Sequence, residues 1–461
     1  MASEDIAHIT AELEIRSLIA RIAMLADHGE LDEYIDQFTE DSVWDFPGGA
    51  RRGRDDIRAG AEQRRSDGRC LNQLVYIEYQ CSERHPSMYR RHRARVRRTM
   101  TAAEPTVTAE RLQSHCAQLL IGLGVPALDA DQVAETLVDA DLRGVHSHGA
   151  NLMSLYASRI HSGHIKPVTT VTTVGDSGSS VLLDGGLGLG QIVGIRATDL
   201  AVDRARRHGL AAVSVRELTH LGALGYYTHR AALQGCICLV VQNGPAFVPP
   251  YGGVTGLFST NPFSYGFPGH DEAPVVFDIA TTAVAGNKII LAKKRGDPSI
   301  PLGWAGDSEG RPTTDTSAAS IDHLQWFGGH KGYGIAFFVE VMAGVLANSS
   351  FGRTEHTESP VHGKDRVAKG ALFLAIEPGA FPGGGEFGQR MDTLVHDVWS
   401  SDTADGFDRV LVPGEIERTL RDRRMKEGIP LAPALIEELG RIAHELNVEP
   451  LQLEITNVGE R

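Results

Sequence analysis

The side chains best suited to moving a proton in this sequence are histidines in short polar loops. His220 stands in Val215-Arg-Glu-Leu-Thr-His-Leu-Gly-Ala-Leu-Gly225, where a predicted strand ends and glycines open the next helix. Strand ends that feed loops are where α/β proteins place function. An imidazole titrates near neutral pH and so serves as both acid and base. A lone histidine at such a place is equally compatible with a satisfied structural residue. His146-Ser147-His148 follows a helix stop at Gly144 and sets two imidazoles two residues apart, so that both are able to face one pocket. Ser147 donates and accepts, and His148 changes charge, which suits a substrate carboxylate or carbonyl. Local capping is the plain alternative. No carboxylate or third histidine follows at ligand spacing, so no metal site is expected.

Glycine-rich stretches form the second set. Gly328-Gly-His-Lys331-Gly332-Tyr-Gly334 enters a predicted helix. Free amides at a helix start, with the Lys331 charge, suit an anion such as a phosphate, or else a simple cap. Asn243-Gly244-Pro and Ser259-Thr-Asn261-Pro262 read as loops. Asp184-Gly-Gly-Leu-Gly-Leu-Gly190 invites a dinucleotide reading, but the third glycine after Gly188 and Gly190 falls at Gly194, one residue late. The nearest acid, Asp203, lies inside a predicted helix instead of at the end of a second strand. A Rossmann assignment is therefore not made. The stretch is left as a tight turn or a close backbone approach to a ligand.

The elements that must position these residues occupy most of a 461-residue chain of net charge −14. That length exceeds one ordinary domain, and the acidic balance argues against nucleic acid or anionic membrane as partner. The cysteines are Cys70, Cys81, Cys116, Cys236 and Cys238, an odd and sparse set without a zinc-type pair; they read as reduced thiols. No basic-then-apolar leader and no long apolar run are visible, so a cytoplasmic protein is expected. Residues 71–106 contain Arg84, Arg90, Arg91, Arg93, Arg95, Arg97 and Arg98 without apolar periodicity. Such a block reads as a disordered linker or a site for an acidic partner. From Thr108 onward helices and strands alternate, arguing α/β or α+β. Helices are expected from a Thr108 cap to Leu123, from Asp129 to Gly144, and over 151–162, 191–208, 224–234, 332–348, 415–425 and 433–446. Strands are expected over 211–216, 236–242, 275–279, 371–376 and 410–412.

Two resemblances follow from these stretches. ADHGELDEYIDQFTEDSVWDFPGGARRGRDDIRAGA resembles the SnoaL-like family over residues 1–70, without the further strands that would close its pocket. ADLRGVHSHG, LDGGLGLGQ, VRELTHLGALGYY, PPYGG, STNPFSYGFP, VVFDIATT, PTTD, GGHKGYG and RVLVPGEIE, in this order, resemble the type 2 malate/L-lactate dehydrogenase family over residues 107–448. Residues 449–461 remain as a tail. The second resemblance implies a non-Rossmann mixed-sheet fold, a homodimer, and NAD or NADP as cofactor. It further implies hydride exchange with a 2-hydroxy or 2-oxo acid. His220 matches the acid/base histidine, and Ser147 and His148 match a pair on the substrate and cofactor side. Gly244, Asp278, Ile279, Ala280, Lys331 and Gly332, with His148, match cofactor-contact positions, and Lys288 matches a lysine of unassigned role. Many members carry an arginine three residues after the Ser-His-Gly motif, where this chain has Leu152; Arg143 and Arg159 are the nearby cations. A cyclic ketimine substrate is the alternative within this class. A SnoaL-like binding or lyase module beside an inactive dehydrogenase is the alternative outside it.

Overall fold

A computed structural model describes residues 43–46, 49–52, 55–59, 76–78, 95–97, 105–353, 369–404 and 407–453. The chain divides into two compact units, Met1–Ala103 with Ala404–Gly406, and Glu104–Thr403 with Phe407–Arg461.

In the first unit, Val43–Phe46 pairs antiparallel with Gly49–Arg52, and a short helix spans residues 55–59 with Ile57 buried. Tyr76–Glu78 pairs antiparallel with Arg95–Arg97. Part of the arginine-rich stretch is thus a strand, where block charge alone suggested a linker; Arg-Val-Arg carries the period-two alternation a strand requires. The other arginines of that stretch, and the helices that apolar spacing predicts over Ile9–Leu25 and Leu31–Phe38, lie outside the described residues.

The second unit is built on a seven-stranded sheet. In chain order its strands are β1 (Thr172–Asp176), β2 (Ser180–Asp184), β3 (Leu210–Leu218), β4 (Ile237–Gln242), β5 (Phe263–Phe267), β6 (Val275–Ile279) and β7 (Lys369–Ile376). Their spatial order is β6-β5-β4-β7-β3-β2-β1. Only the β2–β3 pair is parallel; the other neighbours run antiparallel. A mixed sheet of this order is not a doubly wound parallel sheet, which agrees with the rejection of a Rossmann reading.

Ten helices of the second unit are used below: α1 (Ala109–Gly122), α2 (Ala127–Leu142), α3 (Met153–His161), α4 (Gly190–His208), α5 (Gly225–Leu233), α6 (Gly286–Arg295), α7 (His330–Glu340), α8 (Phe387–Trp399), α9 (Glu415–Glu427) and α10 (Pro433–Leu446). Two cores result. Leu112, Leu120, Leu137, Met153, Tyr156 and Leu439 bury together among α1, α2, α3 and α10. Val193, Val213, Tyr227, Val240 and Phe373 join the sheet to α4 and α5. Thr108 caps α1 as expected, its hydroxyl accepting from the Arg111 amide. The second helix starts earlier than Asp129, after Pro126, with Asp129 inside its first turn, where an acid favours the helix dipole.

Residues 410–412, expected as a strand, are irregular. The Val412 amide is used by Glu415 Oε2 at 3.2 Å, so a side chain at the start of α9 takes the bond a ladder would need. The helix expected over 332–348 is α7 followed by a π-helical turn, Val341–Val345.

Candidate active site

The site lies along one edge of the sheet. Register places Asp184 opposite Arg216, Leu218 opposite Lys369, Ala371 opposite Gln242, and Val241, Phe263 and Ile279 in one row. The loops that leave this edge carry Gly185–Leu189, His220, Gly244 and Ala280. Folding therefore gathers stretches that are far apart in the sequence onto a single rim, because each of these loops leaves a strand end on the same side.

His220 is held from three directions. Gln242 on β4 clamps the loop on both sides, its amide nitrogen donating to the Thr219 carbonyl at 2.9 Å and its oxygen accepting from the Leu221 amide at 3.2 Å. The Thr219 hydroxyl donates to the Gly188 carbonyl at 2.7 Å. The start of α4 presses close: a Cβ on Gly190 would lie 2.3 Å from the His220 carbonyl oxygen. Glu217, with φ of +46°, turns the chain out of β3 toward the loop.

The ring is oriented from α3. Tyr156 Oη lies 3.2 Å from His220 Nδ1, and Gln191 Nε2 donates to the same hydroxyl at 2.6 Å. Tyr156 is fully buried, and burial keeps its phenol protonated. With Nδ1 taken up by Tyr156, Nε2 is the nitrogen left for exchange with a substrate. Burial, then Lys369, His148 and Arg159, holds the His220 imidazole well below its ordinary range, so it is neutral at neutral pH.

His148 stands beside it, with ring centroids 5.4 Å apart. Ser147 Oγ is 2.9 Å from His148 Nδ1. Burial and the Lys369 charge push His148 down to about 4. His146, its sequence neighbour, faces away to structural work. The fully buried Asp141 accepts from His146 Nδ1 at 2.8 Å and from the Ala150 amide at 2.7 Å, and its own carbonyl accepts from Arg424. A Cβ on Gly149 would lie 2.2 Å from that carboxylate, which explains the glycine of Ser-His-Gly. Two 3₁₀ turns, His146–His148 and Ala150–Leu152, carry the motif into α3.

The positions matched to cofactor contacts occupy the far part of the same rim. Gly244 follows β4, and a Cβ there would meet Ser259 Oγ at 2.6 Å. Asp278 and Ile279 end β6, and Ala280 follows. Asp278 is exposed, and its Oδ2 accepts from the Gly225 amide at 2.7 Å at the start of α5. Gly332 opens α7; a Cβ there would meet the Phe327 carbonyl at 2.3 Å and the Thr281 carbonyl at 3.1 Å, so α7 starts against the loop after β6. Gly328 and Gly329 have φ of +57° and +65°, and Lys331 is exposed beside them. Lys288 on α6 lies over the Trp304 ring at 5.7 Å. Exposed glycine-turn backbone with a cation fits a polyanionic dinucleotide. Among the described residues no group of histidines, cysteines and carboxylates is arranged to hold a metal ion.

Sequence reasoning missed Tyr156, Gln191, Gln242 and Lys369. Tyr156 and Gln191 lie on helices, with nothing around them to separate a site residue from a core residue. Of the two substitute cations, Arg143 pairs with Asp139 at 2.7 Å and contacts His229. Arg159 instead acts on Tyr156, His220 and Lys369.

Comparison with known proteins matches residues 107–440 to the family model described as malate/L-lactate dehydrogenase, and residues 7–109 to that of a SnoaL-like domain. The L-sulfolactate dehydrogenase of Methanocaldococcus jannaschii is 35% identical over 325 residues, covering 70% of this chain and 92% of that protein. The malate dehydrogenase of Pyrococcus abyssi is 33% identical, over 75% of this chain and 96% of its own length. The solved structure of the M. jannaschii sulfolactate dehydrogenase superposes with a TM-score of 0.69 at 34% identity, over 75% of this chain and 98% of that one. A structure of a delta1-piperideine-2-carboxylate reductase from Pseudomonas syringae superposes at 0.65 with 29% identity, over 73% and 99%. With its mixed sheet and its matched length, this chain belongs to the malate/L-lactate dehydrogenase family of oxidoreductases.

Proposed function

We propose that the second unit interconverts a 2-hydroxy acid and its 2-oxo acid, using NAD or NADP. The observation that carries this reading is the His220–Tyr156–Gln191 chain beside His148 on the rim of the sheet. A nicotinamide dinucleotide, when bound, supplies the acceptor or donor for the hydride at C2. In oxidation, neutral His220 takes the hydroxyl proton at Nε2 as the C2–O bond gains its second bond. In reduction, the imidazolium returns that proton to the carbonyl oxygen. This role uses the tautomer in which Nδ1–H donates to Tyr156 Oη and Nε2 carries no proton. Ser147 and His148 orient the oxygen, His148 as a neutral imidazole. Such acid–base catalysis is worth roughly 10²–10⁴ in rate, and positioning supplies much of the remainder.

His148, Gly244, Asp278, Ile279, Ala280, Lys331 and Gly332 are the residues proposed to hold the dinucleotide, with Lys331 and the amides at the start of α7 as its anion contacts. The names of relatives favour malate, lactate and sulfolactate as candidate acids. The reductase relative keeps a cyclic imino acid in the panel. A homodimer is proposed from the exposed Phe337, Phe338, Val345 and Leu346 on α7 and its π turn, a cluster that burial against a second copy would cover. No described helix is long and apolar enough to cross a membrane.

Oxidation of NADH against NADPH with oxaloacetate, pyruvate, sulfopyruvate and piperideine-2-carboxylate tests the reading. Turnover of at least one 2-oxo acid is expected. Turnover of the imine alone would replace the substrate class, and no turnover would reject the reading.

A further inference from the structure

We propose that Lys369 is the residue of this chain that seats the substrate carboxylate, and that it thereby sets the specificity of the site for 2-oxo acids over neutral carbonyl compounds. This rests on the oxidoreductase reading above. The placement comes from the sheet. Lys369 opens β7 opposite Leu218, two residues before His220, at a register irregularity between Lys369 and Ala371. Its charge acts on both His148 and His220. The charged and titratable groups facing it are Arg159 from α3, His148 from the 3₁₀ turn, and His220 from the loop after β3. All of these are cationic or neutral.

Among the described residues no carboxylate pairs with Lys369. Three of the described acids of this unit are committed elsewhere. Glu340, buried at the end of α7, accepts from Asn243, Asn261 and the Gly352 amide. Asp141 holds His146 and Ala150. Asp184 binds Arg216 at 3.0 Å and the Gly186 amide. Leu152, in the loop before α3, packs against the helical core and offers no charge. An ammonium group drawn among imidazoles without a counter-ion is destabilised. Burial and Arg159 accordingly lower Lys369 to about 7. An anion arriving from outside completes the pairing.

A coupling follows. A substrate carboxylate on Lys369 fixes that proton on the amine and cancels part of the field that depresses His220. The acid that binds thus raises the basicity of the imidazole that must serve it.

Steady-state kinetics on the full chain with pyruvate and methyl pyruvate tests the proposal. The variants are Lys369→Met and Lys369→Arg, and cofactor binding is followed in parallel by fluorescence quenching. Lys369→Met should raise KM for pyruvate by roughly ten- to hundredfold, the range for losing a charged hydrogen bond. KM for methyl pyruvate and cofactor binding should stay put, and Lys369→Arg should restore most of the affinity. In the unmodified protein kcat/KM for pyruvate should bend down above about pH 7, as Lys369 loses its proton. The ester should lack that bend, and Lys369→Arg should move it upward. A pyruvate KM unmoved in Lys369→Met, or an ester KM raised equally, overturns the assignment of Lys369 alone. No turnover of any 2-oxo acid by the unmodified chain overturns the underlying reading and this proposal together. If Lys369→Met does not fold, the unmodified profile decides, since an identical pH dependence for acid and ester also overturns it.

Discussion

At the scale of single residues, the site is a set of groups whose protons are displaced by their neighbours. His220 and His148 are both held down by burial and by a nearby ammonium, so both are neutral at neutral pH. A neutral imidazole is the form a base needs, so oxidation of the hydroxy acid should keep its kcat/KM as pH falls from about 7 to the ordinary histidine value near 6.5. Reduction needs the protonated form and should slow as pH rises. A flat profile for oxidation against a falling one for reduction is the expected result across this range, and the same pH dependence in both directions would count against His220 as the exchanging group. His220→Ala should lose roughly a hundredfold or more in kcat while quenching by NADH stays unchanged. His220, Ser147 and His148 were legible in the sequence because loop histidines with glycine neighbours are uncommon in a core. Lys369 and Tyr156 were not, because a lysine before a strand and a tyrosine in an apolar helix look like ordinary surface and ordinary core.

At the scale of elements, glycine does the positioning. The glycine-rich loop before α4 invites a dinucleotide reading, yet in the structure its last residue abuts protein. The Cβ that Gly190 lacks would fall 2.3 Å from the His220 carbonyl. Gly190→Ala should therefore push the His220 loop away from Gln242, lowering kcat by roughly tenfold or more for a displacement of about an ångström. It should cost about 1–3 kcal/mol of stability as an overpacked core does. A thermal melt and a kcat measurement on the same preparation check both; full activity would mean the loop yields freely. Element prediction from sequence found most of the helices and missed three strands of the seven-stranded sheet, β1, β2 and β5. β1 has no buried residue, so it carries no alternation to read. β5 alternates in the reverse sense: Ser264 and Gly266 are buried and the aromatics only half-buried, because Gly266 lies against the backbone of Thr228 on α5. Hydrophobicity there marks the less buried face, where Phe263 and Phe267 pack against smaller clusters. The mixed sheet itself was legible only through family resemblance, since strand order is set by contacts between distant segments.

At the scale of the whole molecule, the same depressed imidazoles link stability to pH. His148 and His229 are lowered to about 4 and His220 lies well below its ordinary value. In the unfolded chain these groups bind protons near pH 6.5, so below that pH the unfolded state takes up protons the folded state refuses. Stability should be fully present above about pH 6.5 and decline toward pH 4, by at most about 1.4 kcal/mol per pH unit for each group. Melting temperature measured from pH 7.5 to 4.5 checks this; a flat profile would mean the imidazoles gain protons without cost. The strand order carries one more consequence. β7 occupies the middle of the sheet yet is the last of its strands to be made, and its Gly370 amide bonds to Asn243, 127 residues earlier. Until a ribosome has passed residue 376, the nascent chain holds two half-sheets, β1–β3 and β4–β6, each with a raw inner margin. Closing so distant a seam is entropically slow, and exposed margins recruit other chains. Biosynthesis thus leaves a vulnerable interval, in which a stalled or prematurely terminated product would aggregate, and the rim that carries the candidate site comes into existence only when the final strand is threaded home.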